Sequence, residues 1–391
     1  MPRNAVAFLF LGEMLLAPHL WPIIDALARR RPELPIDLWV STSVHEDLIG
    51  SWLGPAHGNV RLRRAPGFRT LDGYRPGDNP PLPPKLPTLV RLAPRLIGTP
   101  VVVCAEQASL WLPRMLPSRT RYIFTVHGAG PLNYNRDGRL RFASHLLVPS
   151  DLHTADHLAH GIAADRIVET GYAKASFRPS IRRQDIFADD RPVLLYAPHW
   201  QRYRSSWWAW GREIIDMLVA QQRYNVVLAP HQRLFERDAD ARALLAAAGQ
   251  APHVHVDSGS FAMVDGSYTA MAGLYLGDTS SQILEYLARP RPCVLIETPG
   301  MSWREGGAEC GYRACGDVVR DPADLWPAID AACTRHGRYA PFQLQFAARA
   351  LGDTSAAAPV RAADAILQAL AEASVASHEI RFWPRPRAIK A

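Results

Sequence analysis

Short apolar runs alternate with stretches of helical periodicity along most of this chain, and that alternation constrains the fold more than any other feature. A strand that is apolar throughout must be covered on both faces, and the intervening helices supply the cover. The pattern therefore reads as an α/β chain built on parallel sheets. A first series of apolar runs falls at residues 5–11, 36–41, 101–104, 122–126 and 145–148, with a helical stretch at 20–30. A second falls at 193–196, 225–228, 253–256, 273–276 and 293–297. Between the two, residues 177–192 are polar, hold Pro179 and Pro192 and show no apolar period, which marks a linker. Two such series predict two facing doubly wound, Rossmann-like domains at 1–178 and 179–375, followed by a basic aromatic tail at 376–391. Doubly wound sheets bind ligands beyond the carboxyl ends of their strands, so the cleft between the halves is the expected site.

Composition agrees with this and narrows the setting. With 391 residues, 48% of them hydrophobic and 21% charged, the chain can bury large cores, which excludes disorder or coiled coil as its main body. Glu13 interrupts the apolar run at 5–11, and no small-residue cleavage pattern follows, so that run reads as a first buried strand rather than a signal sequence. No stretch of 18 apolar residues predicts a spanning helix. The five cysteines, Cys104, Cys293, Cys310, Cys315 and Cys333, show no C-x-x-C spacing and read as reduced cytoplasmic thiols.

Lys+Arg number 44 against 37 Asp+Glu, a net charge of +7, and all the cations except Lys85, Lys174 and Lys390 are arginine. Guanidinium forks suit phosphate and carboxylate, so an anionic substrate or the inner face of a cell membrane is the expected partner. Residues 61–100, with Pro76, Pro80, Pro81, Pro83, Pro84 and Pro87, read as an insertion that cannot supply a core strand. It is expected as a solvated loop, or alternatively as a basic lip against an acceptor or lipid headgroups. The tail at 381–387 has the same two readings.

Four segments carry candidate chemistry. In Gly277-Asp278-Thr279-Ser280-Ser281, an apolar strand stops, hydroxyl side chains follow, and an amphipathic helix carrying Glu285 opens at once. Free backbone N–H groups and the positive end of the helix dipole then make a seat for a diphosphate. The plainer alternative is a simple helix cap, though Leu284 rules out a capping box with Ser281. His127-Gly128-Ala129-Gly130 follows another strand, where a general base would stand. Its likeness to a lipase oxyanion loop fails because the chain has no G-x-S-x-G elbow. Pro230-His231-Gln232-Arg233 repeats the strand-then-histidine pattern in the second half, and Pro198-His199-Trp200 brings Arg202 and Arg204 to neutralise phosphate.

Other signals point away from other classes. Asp238 and Asp240 lie among arginines and alanines on a helical pattern, and His153 and His157 lack both the H-E-x-x-H glutamate and a third ligand, so no metal is expected. Neither a G-x-G-x-x-G nor a P-loop occurs, and no nucleic-acid-binding signature is present.

Taken in order, these segments resemble the CDP-glycerol glycerophosphotransferase family, the teichoic-acid polymerase type of GT-B enzyme. The resemblance runs through Val126-His127-Gly128-Ala129, Val148-Pro149-Ser150, Gly171-Tyr172-Ala173, Tyr196-Ala197-Pro198-His199-Trp200, Pro230-His231-Gln232, Asp278-Thr279-Ser280-Ser281 and Gly352-Asp353-Thr354-Ser355, over roughly residues 120–370. The family's threonine after His-Gly and its proline after the second histidine are absent. The resemblance implies a GT-B fold, with His127 and His231 as the active-site pair. It places the nucleotide donor, CDP-linked, on Gly277, Asp278, Thr279, Ser280 and Ser281, with His199, Arg202 and Glu285 alongside. It further implies transfer of glycerol phosphate or a similar polyol phosphate to a hydroxyl of a lipid- or glycan-linked acceptor, without metal or other cofactor. A nucleotide-sugar glycosyltransferase, less so an epimerase, and a non-catalytic paralogue of the same fold are the alternatives.

Overall fold

The computed structural model describes residues 5–75, 78–116, 118–129, 138–301 and 310–379. Seven parallel strands form the first sheet: β1 (Val6–Phe10), β2 (Ile36–Thr42), β3 (Val60–Arg69), β4 (Val101–Cys104), β5 (Arg121–Thr125), β6 (His145–Val148) and β7 (Ile167–Glu169). Their spatial order is β3-β2-β1-β4-β5-β6-β7. Six more, again all parallel, form the second: β8 (Val193–Ala197), β9 (Asn225–Leu228), β10 (Val254–Val256), β11 (Leu274–Gly277), β12 (Cys293–Ile296) and β13 (Asp317–Val319), ordered β10-β9-β8-β11-β12-β13. The strand order reverses between β1 and β4 in one sheet and between β8 and β11 in the other. Those are the two points where crossovers diverge and leave a crevice.

The central strands are apolar because both faces are covered; β1, β4, β8, β9, β11 and β12 are buried at every position. Helix α1 (Ala17–Arg30) lays Leu20, Ile23, Ile24 and Leu27 on the first sheet. Helix α2 (Ser43–Trp52) starts at the Thr42 side chain, which accepts from the backbone N–H of His45.

Two expectations are corrected. Residues 61–100 are not one solvated loop: they complete the edge strand β3, run without helix or strand through the described residues of 70–84, and then form helix α3 (Lys85–Leu96). The strand sits where proline and arginine are tolerated, at a sheet edge with only two of its ten residues buried. Its Arg63 pairs with Asp37 and its Arg64 with Glu46, so these cations are already partnered. Pro84 caps α3 and Pro87 lies in its first turn, where the missing N–H costs nothing. Leu89, Leu92 and Leu96 bury its inner face, each worth about 1.5–3 kcal/mol.

The second difference concerns the C-terminus. The long helix α11 (Leu325–Leu351) follows β13, and α12 (Ala357–Glu379) then crosses back onto the first sheet. Its Ala362, Ala363, Ile366, Ala369 and Leu370 belong to the core around α1 and β1. The residues expected to close the second unit therefore pack with the first. The basic motif at 381–387 lies outside the described residues.

Candidate functional site

The carboxyl ends of both sheets face a shared cavity of about 430 Å³, whose wall is drawn from both halves of the chain. From the first half come Glu13 after β1, His19 on the first turn of α1, His127 after β5, and Lys174 just beyond β7. From the second come His199, Trp200 and Arg204 after β8, His231 and Arg233 after β9, and Ser280, Ser281 and Glu285 after β11.

His127 is held by ring packing. Its centroid lies 6.2 Å from that of His19 and 6.5 Å from that of Phe124. Burial pushes its pKa below the ordinary imidazole value, with a hydrogen bond to the Ala105 backbone opposing. If the Nε2–H donates to that carbonyl, Nδ1, which makes no protein hydrogen bond, keeps its lone pair. His19 is also kept neutral, by burial first and then by Lys174 and His127. Gly130 and its followers lie outside the described residues.

His199 and His231 form a pair with ring centroids 5.2 Å apart. The Arg204 guanidinium donates to His199 Nε2 at 2.9 Å, which fixes that nitrogen as an acceptor. Burial, Arg204 and His231 push the His199 pKa far down, and burial, Arg233 and Arg204 push that of His231 to about 4. His231 Nδ1 accepts the backbone N–H of Arg233 at 3.2 Å, so the ring caps the turn that carries it. Trp200 stacks on His199 at 5.8 Å and lies 5.5 Å from the Arg233 guanidinium.

The segment after β11 divides in two. Gly277 has φ +150°, and a Cβ there would meet the Ala197 carbonyl oxygen at 3.2 Å, so the residue lets β11 and β8 converge. Asp278 is buried behind the wall, accepting the backbone N–H groups of His199 at 2.8 Å and Ser206 at 2.9 Å. Burial lifts its pKa to about 7 against those donors. Asp278 thus braces the His199 turn instead of facing a ligand, and Gly277 and Thr279 are likewise away from the wall. Ser280 opens helix α9 (Ser281–Leu287), and it is Ser280 and Ser281 that face the cavity.

Of the remaining expected residues, Glu285 lines the cavity while accepting from Tyr172 at 2.6 Å and Lys174 at 2.7 Å, a bridge between the halves. Arg202 does not reach the wall. Its guanidinium lies 4.0 Å from the centre of the Trp208 ring, and Arg204 takes its place. Glu13, His19 and Lys174 were not picked out from the sequence. Glu13 had a readable signal, since it follows β1 at the reversal of strand order, whereas His19 and Lys174 reach the cavity only through folding. Glu13 forms an ion pair with Arg233 across the cleft. Among the described residues no group of three or more His, Cys, Asp or Glu could hold a metal ion.

No protein-family model matches the chain, and no curated protein matches it. Solved structures do. The wall teichoic acid polymerase TagF, soaked with CDPG, superposes with a TM-score of 0.64 at 15% identity, over 95% of this chain and 89% of that one. A Staphylococcus aureus MnaA–UDP structure gives 0.59 at 14% identity, over 90% and 94%. The UDP-GlcNAc 2-epimerase of Neisseria meningitidis bound to UDP-GlcNAc gives 0.56 at 12% identity, over 94% and 99%. At such identities the likeness establishes architecture, and the architecture of this chain is GT-B: two doubly wound domains facing one another across a cleft.

Proposed function

We propose that the chain is a transferase of cell-envelope synthesis that uses a nucleotide-activated donor. In this reading it moves glycerol phosphate, or a similar polyol phosphate, from a CDP-linked donor to a hydroxyl of a lipid- or glycan-linked acceptor. One observation carries the reading: a neutral imidazole, His127, and the hydroxyl-bearing helix opening at Ser280–Ser281 face the same inter-domain cavity from opposite halves. The likeness to TagF and to UDP-binding enzymes supports the choice of a nucleotide donor.

Chemically, His127 removes the acceptor hydroxyl proton as the oxygen attacks the donor phosphorus. The new O–P bond forms while the P–O bond to CMP breaks, and CMP leaves with the electron pair. Ser280, Ser281 and the N–H groups of α9 hold the phosphate oxygens, and Arg204 and Arg233 offset the developing charge. Gly277, Asp278 and Thr279 belong to this site as its support, shaping and bracing the loop. A nucleotide-sugar transferase or an epimerase is the second reading, favoured by the carboxylates Glu13 and Glu285 in the cavity wall.

A thermal-shift screen of CDP-glycerol, CDP-ribitol and UDP- and GDP-sugars, followed by turnover assays, separates these. The proposal expects stabilisation by a CDP-polyol and CMP release with acceptor. His127→Ala should lower turnover at least 100-fold with nucleotide affinity within about twofold. Near-normal turnover in that variant would refute the base, and stabilisation by nucleotide sugars alone would move the donor to the second reading. Absence of turnover with every donor and acceptor would favour the non-catalytic paralogue.

A further inference from the structure

The first domain carries an outward surface that its own core leaves uncovered. Seven of the eleven exposed large apolar side chains among the described residues lie there: Leu86, Val90 and Ile97 on and just after α3, Trp111, Met115 and Leu116 on and just after helix α4 (Trp111–Met115), and Phe142. Leu86, Val90 and Ile97 recur at helical spacing and form a stripe along one flank of the buried face made by Leu89, Leu92, Ala93 and Leu96, and Val90 is 51% exposed. An apolar face that continues past the buried stripe into solvent has a second partner to find.

Charge says which partner. Residues 85–129 contain a single carboxylate, Glu106, which is buried and paired with Lys85. The same surface carries Arg91, Arg95, Arg114, Arg119 and Arg141, none of which forms an ion pair with another described residue. The arginines interleave with the rings: Arg114 lies 5.8 Å from the centre of Trp111 and 5.9 Å from that of Phe142, and Arg139 lies 5.9 Å from Trp111. Amphipathic rings beside guanidinium groups and an aliphatic stripe match the boundary between anionic headgroups and acyl chains. A nucleic acid would use the cations and leave Leu86, Val90 and Ile97 without a role. No helix among the described residues is long and apolar enough to cross a membrane, so the contact is with one face of it.

We propose that α3, α4 and the turn at Gly138–Phe142 form a docking surface for an anionic lipid bilayer. The surface borders the cleft, since Lys85, the first residue of α3, pairs with Glu106 just after β4 and lies within the field of Glu13 and Arg233. A lipid-borne substrate would reach the cavity without leaving the membrane surface. The docking does not depend on the donor or the reaction, because it is read without turnover.

The test is co-sedimentation of the full chain with phosphatidylcholine vesicles prepared with and without phosphatidylglycerol. We expect binding only when phosphatidylglycerol is present, weakened by salt, with a blue shift of tryptophan emission. Each of Arg91→Gln and Arg114→Gln should weaken it about fivefold, and Val90→Glu with Ile97→Glu should abolish it. The arginine variants leave the buried face of the helix untouched, and unchanged thermal melts verify folding of all three variants. No binding to phosphatidylglycerol vesicles, or equal binding by all variants, overturns the proposal. So does a dimer dispersed by Val90→Glu with Ile97→Glu, which would make a second copy the occupant, or tighter binding to duplex DNA than to vesicles.

Discussion

Buried His45 and His199 and half-buried His231 share one electrostatic condition: desolvation pushes each pKa below the ordinary imidazole value of 6.5, those of His45 and His231 to about 4. An unfolded histidine takes up its proton near 6.5, whereas His45 and His231 take it up only near pH 4 and His199 lower still. Between those values the unfolded chain binds more protons, so stability is complete above about pH 6.5 and is lost as pH falls toward 4, at about 1.4 kcal/mol per pH unit for each group. Asp278 works the other way. Its folded pKa of about 7 stands above the ordinary 3.8, so its contribution declines as pH rises between them. The histidines outnumber it, and the melting temperature should fall on acidification from pH 6.5 to 4. His45→Gln should flatten that slope in a pH series of thermal melts. The same reasoning bears on rate: with the His127 pKa lowered by burial, the acid limb of kcat/KM should have its midpoint below 6.5 and be flat by pH 7. A midpoint above 7 would rule His127 out as the base.

At the scale of elements, the decisive piece is α12, which ties the end of the chain to its beginning. Ile366 is fully buried against the core of the first sheet, and Arg361 donates twice to the Thr170 carbonyl, at 3.1 and 2.8 Å. Ile366→Ala should cost about 2–5 kcal/mol, with faster hydrogen exchange in α1 and β1 rather than in β8 and β11. Loss confined to the second sheet would contradict the packing. None of this was legible in the sequence, because an alanine-rich stripe specifies an apolar face and not the core it joins. The central strands were legible since burial on both faces makes them uniformly apolar, whereas β3, with Arg61, Arg63 and Arg64, reads as polar because an edge is half in water. Prolines hide α3 because Pro84 and Pro87 argue against a core strand, yet they occupy the cap and first turn of a helix, where proline is tolerated. The strand-end histidines could be read for the same reason the central strands could: they are where those strands stop.

For the whole molecule, two sets of ionic contacts cross the cleft beside the cavity. Lys174 and Tyr172 of the first half meet Glu285 of the second, and Glu13 of the first meets Arg233 of the second. The first set is largely dry, with the Lys174 and Glu285 side chains 9% and 12% exposed, and removing one partner strands the other charge. The second set is wetter, at 25% for Glu13 and 41% for Arg233, and it faces the ligand cavity, so it can be exchanged. An entering diphosphate must draw Arg233 away from the Glu13 carboxylate, and the energy of that exchange is subtracted from its affinity. Glu13→Gln removes the competitor while leaving the guanidinium in place, and should tighten nucleotide diphosphate binding about fivefold to tenfold; Arg233→Gln should weaken it by a similar factor. Combined, the two changes should give the weak affinity of Arg233→Gln alone, because the carboxylate acts only through the arginine it holds. Calorimetric titration of the four proteins with CDP measures this directly, and an unchanged or weaker affinity in Glu13→Gln would mean that Arg233 never leaves Glu13 when the cleft fills.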